Sequence, residues 1–352
     1  MIRFKTEIPA LCFPHELPEI EIESDRDEVK LTVEGPDETA TFQICRMEGL
    51  GLRVCGFDEL VRDLGPGFDE TDHPSYELTL TAEDDTDVVT TTVRVLTCNV
   101  NPGLPAEVYT RARFLTLCGS DKVTYPGARE WLYVYSADEC EPYTVRCTYV
   151  SDADGCTVVR ESRTGLTPVA SIVEENMYRM DVSPSLWEKT AADGTALRLV
   201  AYEVICGRRV AHYSVRQSPS PCSLVFKNAF GCRDTLHLPQ APDAEVKPTR
   251  SSATFCGRMR NYRVVPTVEL TGRTGPIGPG MTALVTDLCN TTWLKDAEGR
   301  DLVLLDQEVK PTGDSSSLTS CSIKWRYAKE RPELQAEVQA RTFDETFDGS
   351  FL

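Results

Sequence analysis

Apolar and polar residues alternate along much of the chain, which is the pattern of half-buried β-strands. Residues 28–34 read Glu-Val-Lys-Leu-Thr-Val-Glu and are followed by the turn residues Gly35-Pro36-Asp37. The same alternation predicts strands at 76–81 and 88–95. Between them and the first strand, residues 57–64 have helical spacing and stop at a Gly-Pro-Gly sequence, which predicts a short helix.

Further along, the pattern predicts antiparallel pairs joined by short turns. Residues 143–150 and 156–161 flank an Asp-Gly turn, and residues 196–206 face 209–215 across Gly207. The last third is predicted to hold these elements: a strand within 223–231, a Gly/Pro loop at 272–280, a helix at 280–289, a hairpin from 292–295 to 301–305, and a strand at 321–327.

Many short strands and few helices predict an all-β chain, built as tandem β-sandwich modules of immunoglobulin or fibronectin-III type with a few short helices. Linker-like stretches at 99–105 and 217–221 divide it. We therefore expect modules at 1–100, 101–217 and 218–330, followed by a C-terminal arm at 331–352.

Charge is distributed unevenly. The 352 residues have a formal net charge of −18, and residues 1–100 alone contain 23 acidic and 8 basic residues, a net charge of −15. The first module is therefore acidic, while the rest of the chain is nearly neutral. Such a surface keeps a domain soluble or steers it onto a basic partner, and it opposes general binding to nucleic acid.

The N-terminal residues lack the apolar core of a secretory signal, and no stretch approaches 18 consecutive apolar residues. We expect no membrane span and no export.

The 14 cysteines include no Cys-x-x-Cys pair. In a chain without an export signal they are expected to be reduced thiols that act as small core residues, and Cys45, Cys98, Cys147 and Cys206 lie in strand-like runs.

Recognised catalytic and cofactor motifs are absent from the sequence. Asp152-Ala153-Asp154-Gly155 begins like a calcium loop but lacks its later ligands. We therefore predict no catalytic residue, no metal site and no cofactor. A cysteine hydrolase stays open as a minor alternative, because a Cys–His pair can meet in space without a local signature.

The C-terminal stretch loses strand alternation and places Phe343, Phe347 and Phe351 four residues apart among acidic residues. Either this is a frayed tail, or it is an arm that orders on a neighbouring subunit with the three rings as contacts.

Two stretches resemble structural proteins of tailed bacteriophages and prophages. Residues 226–235 resemble a Phe-x-Asn-x-aromatic-Gly-x-x-acid-Thr block of these proteins, and residues 282–327 resemble a helix, hairpin and Arg-Tyr strand of the same family. The residues that carry the block are Phe226, Asn228, Phe230, Gly231, Asp234 and Thr235.

The resemblance implies a non-enzymatic tail or baseplate subunit of the virion, which assembles in the bacterial host cytoplasm. Its partners would be copies of itself and other virion tail proteins. A rival interpretation is a multi-domain carbohydrate-binding adhesin that uses Trp131, Tyr133 and Tyr135. Their spacing of two residues places all three side chains on one strand face, which would have to be exposed to bind a glycan.

Overall fold

A computed structural model shows how these elements assemble. It describes residues 1–48, 51–65, 72–119, 121–136, 142–151, 158–165, 170–174, 176–190, 196–216, 218, 220–310 and 319–328. Strands dominate, and the described helices are three α-helices and two 3₁₀ turns at Pro14–Glu16 and Pro184–Trp187. The all-β prediction is confirmed.

The first module packs a three-stranded sheet, in the order β1-β3-β6, against a five-stranded sheet, in the order β2-β8-β7-β4-β5. Every contact between neighbouring strands is antiparallel except that of β2 with β8, which is parallel. The elements are β1 (Arg3–Phe4), β2 (Leu11–Cys12), β3 (Ile20–Glu23), β4 (Glu28–Glu34), β5 (Thr39–Cys45), β6 (Leu52–Val54), α1 (Phe57–Asp63), β7 (Ser75–Glu83) and β8 (Val88–Leu96).

A buried tyrosine fixes the corner where the chain crosses between these two sheets. The Tyr76 hydroxyl, near the start of β7, donates a 2.7 Å hydrogen bond to the Val61 carbonyl in α1. The bond joins the start of β7 to the helix that precedes it. It gives a buried backbone carbonyl a partner, and the apolar positions of β4 and β7 close the core beneath it.

The second module repeats this arrangement. Its main sheet has the order β12-β11-β16-β17-β9 and its second sheet the order β10-β14-β13, while β9 again runs parallel to the last strand, β17. The elements are β9 (Asp121–Thr124), β10 (Trp131–Tyr135), β11 (Tyr143–Ser151), β12 (Val158–Gly165), β13 (Ala170–Glu174), β14 (Met177–Asp181), β15 (Lys189–Thr190), β16 (Ala196–Cys206) and β17 (Arg209–Val215). The helix α2 (Ala106–Ala112) connects it to the first module.

The third module also has two sheets, in the orders β19-β18-β22 and β20-β21-β24-β23. Its helix packs on the core between them through Met281, Leu284, Val285 and Leu288. The elements are β18 (Cys222–Lys227), β19 (Arg233–Leu238), β20 (Asp243–Phe255), β21 (Arg258–Ile277), α3 (Pro279–Cys289), β22 (Leu294–Asp296), β23 (Leu302–Lys310) and β24 (Thr319–Tyr327).

No sheet in the described part of the chain combines strands from two modules. The module boundaries at 100, 217 and 330 stay predictions, and the C-terminal arm with Phe343, Phe347 and Phe351 lies outside the described residues.

Several predicted elements form where expected. Strand β4, helix α1, helix α3 and strand β24 match the alternation or helical spacing of their sequences. The pair β11–β12 and the pair β16–β17 form as predicted, the latter around Gly207, whose φ of 58° suits a two-residue turn.

Two predictions in the third module were wrong. Residues 272–277 end the 20-residue strand β21 instead of forming a loop, because Gly272 allows the Trp325 ring to pack closely on the backbone. In the proposed hairpin from 292–295 to 301–305 the turn forms, but the two strands pair only through a single bridge between Lys295 and Asp301. Strand β22 then joins β18, and β23 joins β24.

All twelve cysteines in the described part are free thiols. Cys98, Cys147 and Cys206 are buried, as core thiols should be. The prediction that Cys45 is a core residue was wrong, because Cys45 is exposed. This residue ends β5, which lies at the edge of its sheet, and no other described strand covers it there.

Candidate functional site

The residues that carry the resemblance lie where the three modules meet. Phe226 lies near the end of β18, and both Phe226 and Phe230 are fully buried. The Asn228 side chain closes the turn between β18 and β19, because its Oδ1 accepts hydrogen bonds from the backbone N–H groups of Phe230 (3.0 Å) and Cys232 (3.1 Å). Its Nδ2 donates to the Leu115 carbonyl at 2.9 Å, which ties the turn to the segment leading into the second module.

Gly231 makes the closest contact of this turn with the first module. Its φ is 68°, in the left-handed region, and a Cβ at this position would lie 2.7 Å from the His73 carbonyl oxygen. Only glycine accommodates both the backbone conformation and the close approach. The Thr97 hydroxyl donates to the same His73 carbonyl, which holds that carbonyl in place.

A buried ion network joins the second and third modules. Lys122 in β9 places its Nζ 2.6 Å from Asp234 Oδ1 and 2.8 Å from Glu130 Oε2. Asp234 also accepts from the Thr116 hydroxyl, and His237 lies 2.8 Å from the other Glu130 oxygen. Burial alone would raise the pKa of Glu130, but Lys122 and His237 hold it at about 2. Glu130 is therefore ionised, and both carboxylates are paired with Lys122 inside the protein.

One carboxylate connects all three modules. Asp72, which precedes β7 and is buried, accepts from the Tyr133 hydroxyl at 2.7 Å and from Arg233 Nε at 2.9 Å. Arg179 of the second module lies 3.6 Å from the same carboxylate. Asp72 belongs to the first module, Tyr133 and Arg179 to the second, and Arg233 to the third.

An apolar core surrounds these polar contacts. One buried cluster combines residues of the first module, the connecting segment, the second module and the third module. Phe13, Tyr109 and Phe230 pack their rings with centroids 5.1 to 6.1 Å apart. We call the region formed by this cluster, Asp72 and the Lys122 network the junction.

Within the junction, Ser223, His237 and Glu130 form a chain of contacts like that of a serine hydrolase. Ser223 Oγ lies 2.8 Å from His237 Nδ1, and His237 Nε2 lies 2.8 Å from Glu130. However, Glu130 is also paired with Lys122. Two clefts of the described chain, one lined by Tyr202 and His212 and one by Lys122 and Trp131, do not include Ser223 in their lining.

The second notable feature is a long hairpin that leaves the third module. We call residues 243–269 the hairpin arm. Strand β24 pairs only with the part of β21 from Leu270 to Ile277. Between Leu270 and the tip of the hairpin, β20 and β21 pair only with each other in the described structure. The free part has about 11 residues per strand and reaches roughly 35 Å. It ends in the Cys256-Gly257 turn, where both residues have positive φ.

One face of the hairpin arm is apolar and uncovered. It continues the core-facing side of the sheet from Leu270, through cross-strand pairs such as Val246 with Val268 and Pro248 with Pro266. The large apolar side chains on this face are 43% to 76% exposed: Val246, Met259, Val264 and Val268.

The opposite face of the arm is basic. Arg258, Arg260 and Arg263 pair with Phe255, Ala253 and Ser251, which share one face of β20 because side chains alternate along a strand. Arg263 reaches this face although it is three residues from Arg260, because the register shifts by one residue between Ser251 and Ser252. No acidic residue lies between 246 and 268. At the base of the same face Glu269 accepts from Lys247 at 2.7 Å and lies 2.6 Å from Lys324, which lowers the Glu269 pKa.

Comparison with known proteins does not extend these observations. No protein-family model matches the chain, and no curated protein matches it. Among solved structures, the chain is similar to the calcium-binding domain CBD12 of CALX1.1, with 10% identity over 61% of this chain and all of that one. The TM-score of 0.20 is too low to support an argument.

Nothing in the described part suggests a metal site or a membrane-crossing helix. No group of three or more His, Cys, Asp or Glu side chains there is arranged to hold a metal ion. No helix of the described residues has the length and apolar character needed to cross a membrane. The beginning of a calcium loop at Asp152 lies outside the described residues.

The three aromatic residues of the adhesin interpretation are not all exposed. Tyr133 and Tyr135 are buried in the core of the junction, and only Trp131 lies partly in the open, beside a cleft that Arg113 and Arg208 also line. Tyr133 and Tyr135 therefore do not supply the exposed aromatic face that the adhesin interpretation needs.

The thiols also differ from an activated nucleophile. Burial raises the pKa of Cys12, Cys98 and Cys118 to about 12, and that of Cys222 and Cys289 to about 11. A nucleophilic cysteine needs the opposite shift.

Sequence reasoning missed the hairpin arm and the junction contacts. The arm could have been found from the Arg258-x-Arg260-x-x-Arg263 alternation that follows a Cys-Gly turn. The contacts of Asp72 with Tyr133 and Arg233 have no local signal, because 61 and 161 residues separate the partners.

Proposed function

We propose that this protein is a non-enzymatic structural subunit that acts by assembling with copies of itself and with neighbouring proteins. The observation that carries the proposal is the hairpin arm, which exposes several large apolar side chains on one face and three arginines on the other. An isolated two-stranded hairpin is marginally stable in water, and uncovered apolar surface of this kind marks protein contacts.

The junction supports the same function. A subunit that transmits load or fixes geometry needs domains that do not move independently. Here a shared core, a buried ion network and the Asp72 contacts connect all three modules.

The more specific proposal is a tail or baseplate subunit of a bacteriophage or prophage virion, assembled in the host cytoplasm. It is supported by the sequence resemblance over residues 226–235 and 282–327. The block at 226–235 also forms the turn of the junction, and this role explains why aromatic residues, Asn and Gly occur at their positions in the block.

Assembly is tested by measuring the mass of the purified full chain with light scattering over a wide concentration range. We expect species several times larger than the 39.2 kDa monomer, with regular particles in electron micrographs. A strictly monomeric protein at all concentrations would refute self-assembly.

The virion assignment needs a separate measurement. Mass spectrometry of gradient-purified particles from the source culture should find peptides of this chain at a stoichiometry comparable with other structural proteins. Particles that lack the chain while the cell extract contains it would refute the assignment.

A further inference from the structure

We propose that the hairpin arm of one copy docks along the exposed edge of strand β5, on the acidic first module of a second copy. This inference rests on the proposed assembly function and names the two surfaces that would meet. The arm belongs to the third module and β5 to the first. The contact is therefore head-to-tail between copies, and such a contact builds rings or filaments.

The arm requires a partner along most of its length. Beyond Leu270 its two strands pair only with each other in the described structure, and its apolar face continues the core side of the sheet into solvent. In the same structure β5 pairs only with β4. Within one copy, no strand of the described residues therefore covers either surface.

Charge selects an acidic partner. The arm contains five basic residues and no acidic one between 246 and 268. The first module is the strongly acidic part of the chain, with a net charge of −15. A basic arm and an acidic module on the same chain attract each other between copies and steer their encounter.

Strand β5 is the edge in that module best suited to accept the arm. It reads Thr-Ala-Thr-Phe-Gln-Ile-Cys, without a charge or a proline, whereas exposed edges usually carry such protection against pairing. The exposed residues Glu34, Asp37 and Glu38 precede it, and Glu28 lies on the adjacent strand β4 opposite Cys45. Nearby bases are already paired, Lys30 with Glu83 and Arg46 with Asp27.

The turn between β4 and β5 determines which backbone N–H and C=O groups of β5 point away from β4. The Gly35 N–H donates to the Glu38 carbonyl at 2.9 Å, which makes that pair hydrogen-bonded. Because hydrogen-bonded and non-hydrogen-bonded pairs alternate in an antiparallel ladder, the backbone groups of Thr39, Thr41 and Gln43 point away from β4. They can accept an added strand in the manner of β-augmentation.

The test compares three variants of the full chain by sedimentation velocity at low salt. The arm variant is R258E/R260E/R263E, and the edge variant is Thr41→Pro, which removes one outward N–H without touching the bonds to β4. The control is R111E/R208E/R216E, which makes the same change in net charge at exposed positions outside the arm.

We expect the arm variant to raise the dissociation constant of the assembly by on the order of 100-fold, since it places like charges against the acidic module. The edge variant should also weaken assembly, and the control should stay within about threefold of the unmodified chain, as exposed charges usually do. Raising the salt concentration should weaken the unmodified assembly in the same direction. Unchanged circular dichroism and melting temperature verify that each variant folds.

A charge-swapped pair makes the test specific to these surfaces. The acceptor variant D37K/E38K, mixed with the arm variant, should form complexes that neither variant forms alone. Amide hydrogen exchange at residues 39–45 should be slow in the assembled chain and fast in the arm variant.

The outcomes separate the two proposals. If the unmodified chain assembles and the arm variant assembles equally well, the docking inference is overturned and the assembly function stands. Assembly that protects other amides but leaves residues 39–45 exchanging freely also overturns it. If the unmodified chain remains at 39.2 kDa, the self-assembly proposal itself fails.

Discussion

Replacing Asp287 by Asn should stabilise this protein, and the gain should grow as the pH rises. Asp287 lies in α3 against the junction, is only 3% exposed, and has one carboxylate oxygen without a hydrogen-bond partner. Burial raises its pKa to about 7, although the Ala229 backbone N–H favours the ionised form. Folding therefore holds a proton on a group that the unfolded chain would release near pH 4.

The magnitude follows from linkage between protonation and folding. A raised pKa means that the contribution of Asp287 to stability is complete below the unfolded pKa and is lost as the pH rises through the folded value. Between pH 5 and pH 7 the folded form holds a proton that the unfolded form does not. At about 1.4 kcal/mol per pH unit, this costs roughly 2–3 kcal/mol over that interval. Asn has no such titration, so the difference between variant and unmodified chain should increase by that amount.

The assay is urea denaturation followed by tryptophan fluorescence at pH 5 and pH 8, for the unmodified chain and for Asp287→Asn. At each pH, the unfolding free energy of the unmodified chain is subtracted from that of the variant. The change in this difference between pH 5 and pH 8 is the quantity of interest, because any packing effect of Asn is the same at both pH values. Asp85→Asn, at an exposed turn position, is the control and should give a difference that does not change with pH.

A stability difference that is flat between pH 5 and pH 8 would refute this reasoning, because it would mean that Asp287 is already ionised in the folded protein at pH 5. A gain that is larger at pH 5 would contradict the sign of the linkage. Either result would show that burial does not hold a proton on Asp287 in the folded protein.

Three further predictions address the junction and the thiols. Lys122→Met should cost about 3–5 kcal/mol of unfolding free energy in a denaturant titration, because it removes the ammonium group that lies between two buried carboxylates, whereas Lys30→Met at an exposed pair should cost less than about 1 kcal/mol. Gly231→Ala should cost about 1–3 kcal/mol and lower the melting temperature more than Gly103→Ala, whose φ is also positive but which has nothing within 4 Å of a Cβ. Brief alkylation of the native protein, followed by peptide mass spectrometry, should modify the exposed thiols first and leave the buried ones intact, and equal labelling of both groups would contradict the burial. The exposed thiols are Cys45, Cys55 and Cys256, and the buried ones are Cys12, Cys98, Cys147, Cys206, Cys232 and Cys321.

The sequence predicted best the elements that depend on local spacing. Strand β4 has a strict two-residue period, so its bounds and its turn could be read directly. The helix α3 was visible because Met281, Leu284, Val285 and Leu288 recur at helical spacing. In both cases the side-chain pattern that identifies the element is the same pattern that buries it.

Strand β21 was missed because its sequence contradicts its conformation locally. Pro266, Gly272 and Pro276 are typical of loops, and the strand exists because β20 pairs with its first part, up to Thr271, and β24 pairs with its last part, from Leu270 onward. Pairing with strands from elsewhere in the chain overrides the low β-propensity of this segment, and the sequence of the segment alone does not predict the strand.

The junction depends on contacts between residues that are far apart in sequence. A carboxylate such as Asp72 looks like any surface acid until Tyr133 and Arg233 are brought to it. The block at 226–235 could be recognised by resemblance, but its role as the turn of the junction became clear only from the bonds of Asn228 and the close approach of Gly231.

The rigid junction has a consequence for the size of any particle that this protein forms. In a head-to-tail assembly, each copy adds the same rotation and translation to the one before it, and that operation depends on the angle between the donating arm and the accepting edge. The two surfaces lie on different modules, so the angle is set at the junction and not at the interface. Substitutions at Asp72 or Gly231 would then alter the number of copies in a closed ring, or the pitch of a helix, while leaving every residue of the docking surfaces unchanged.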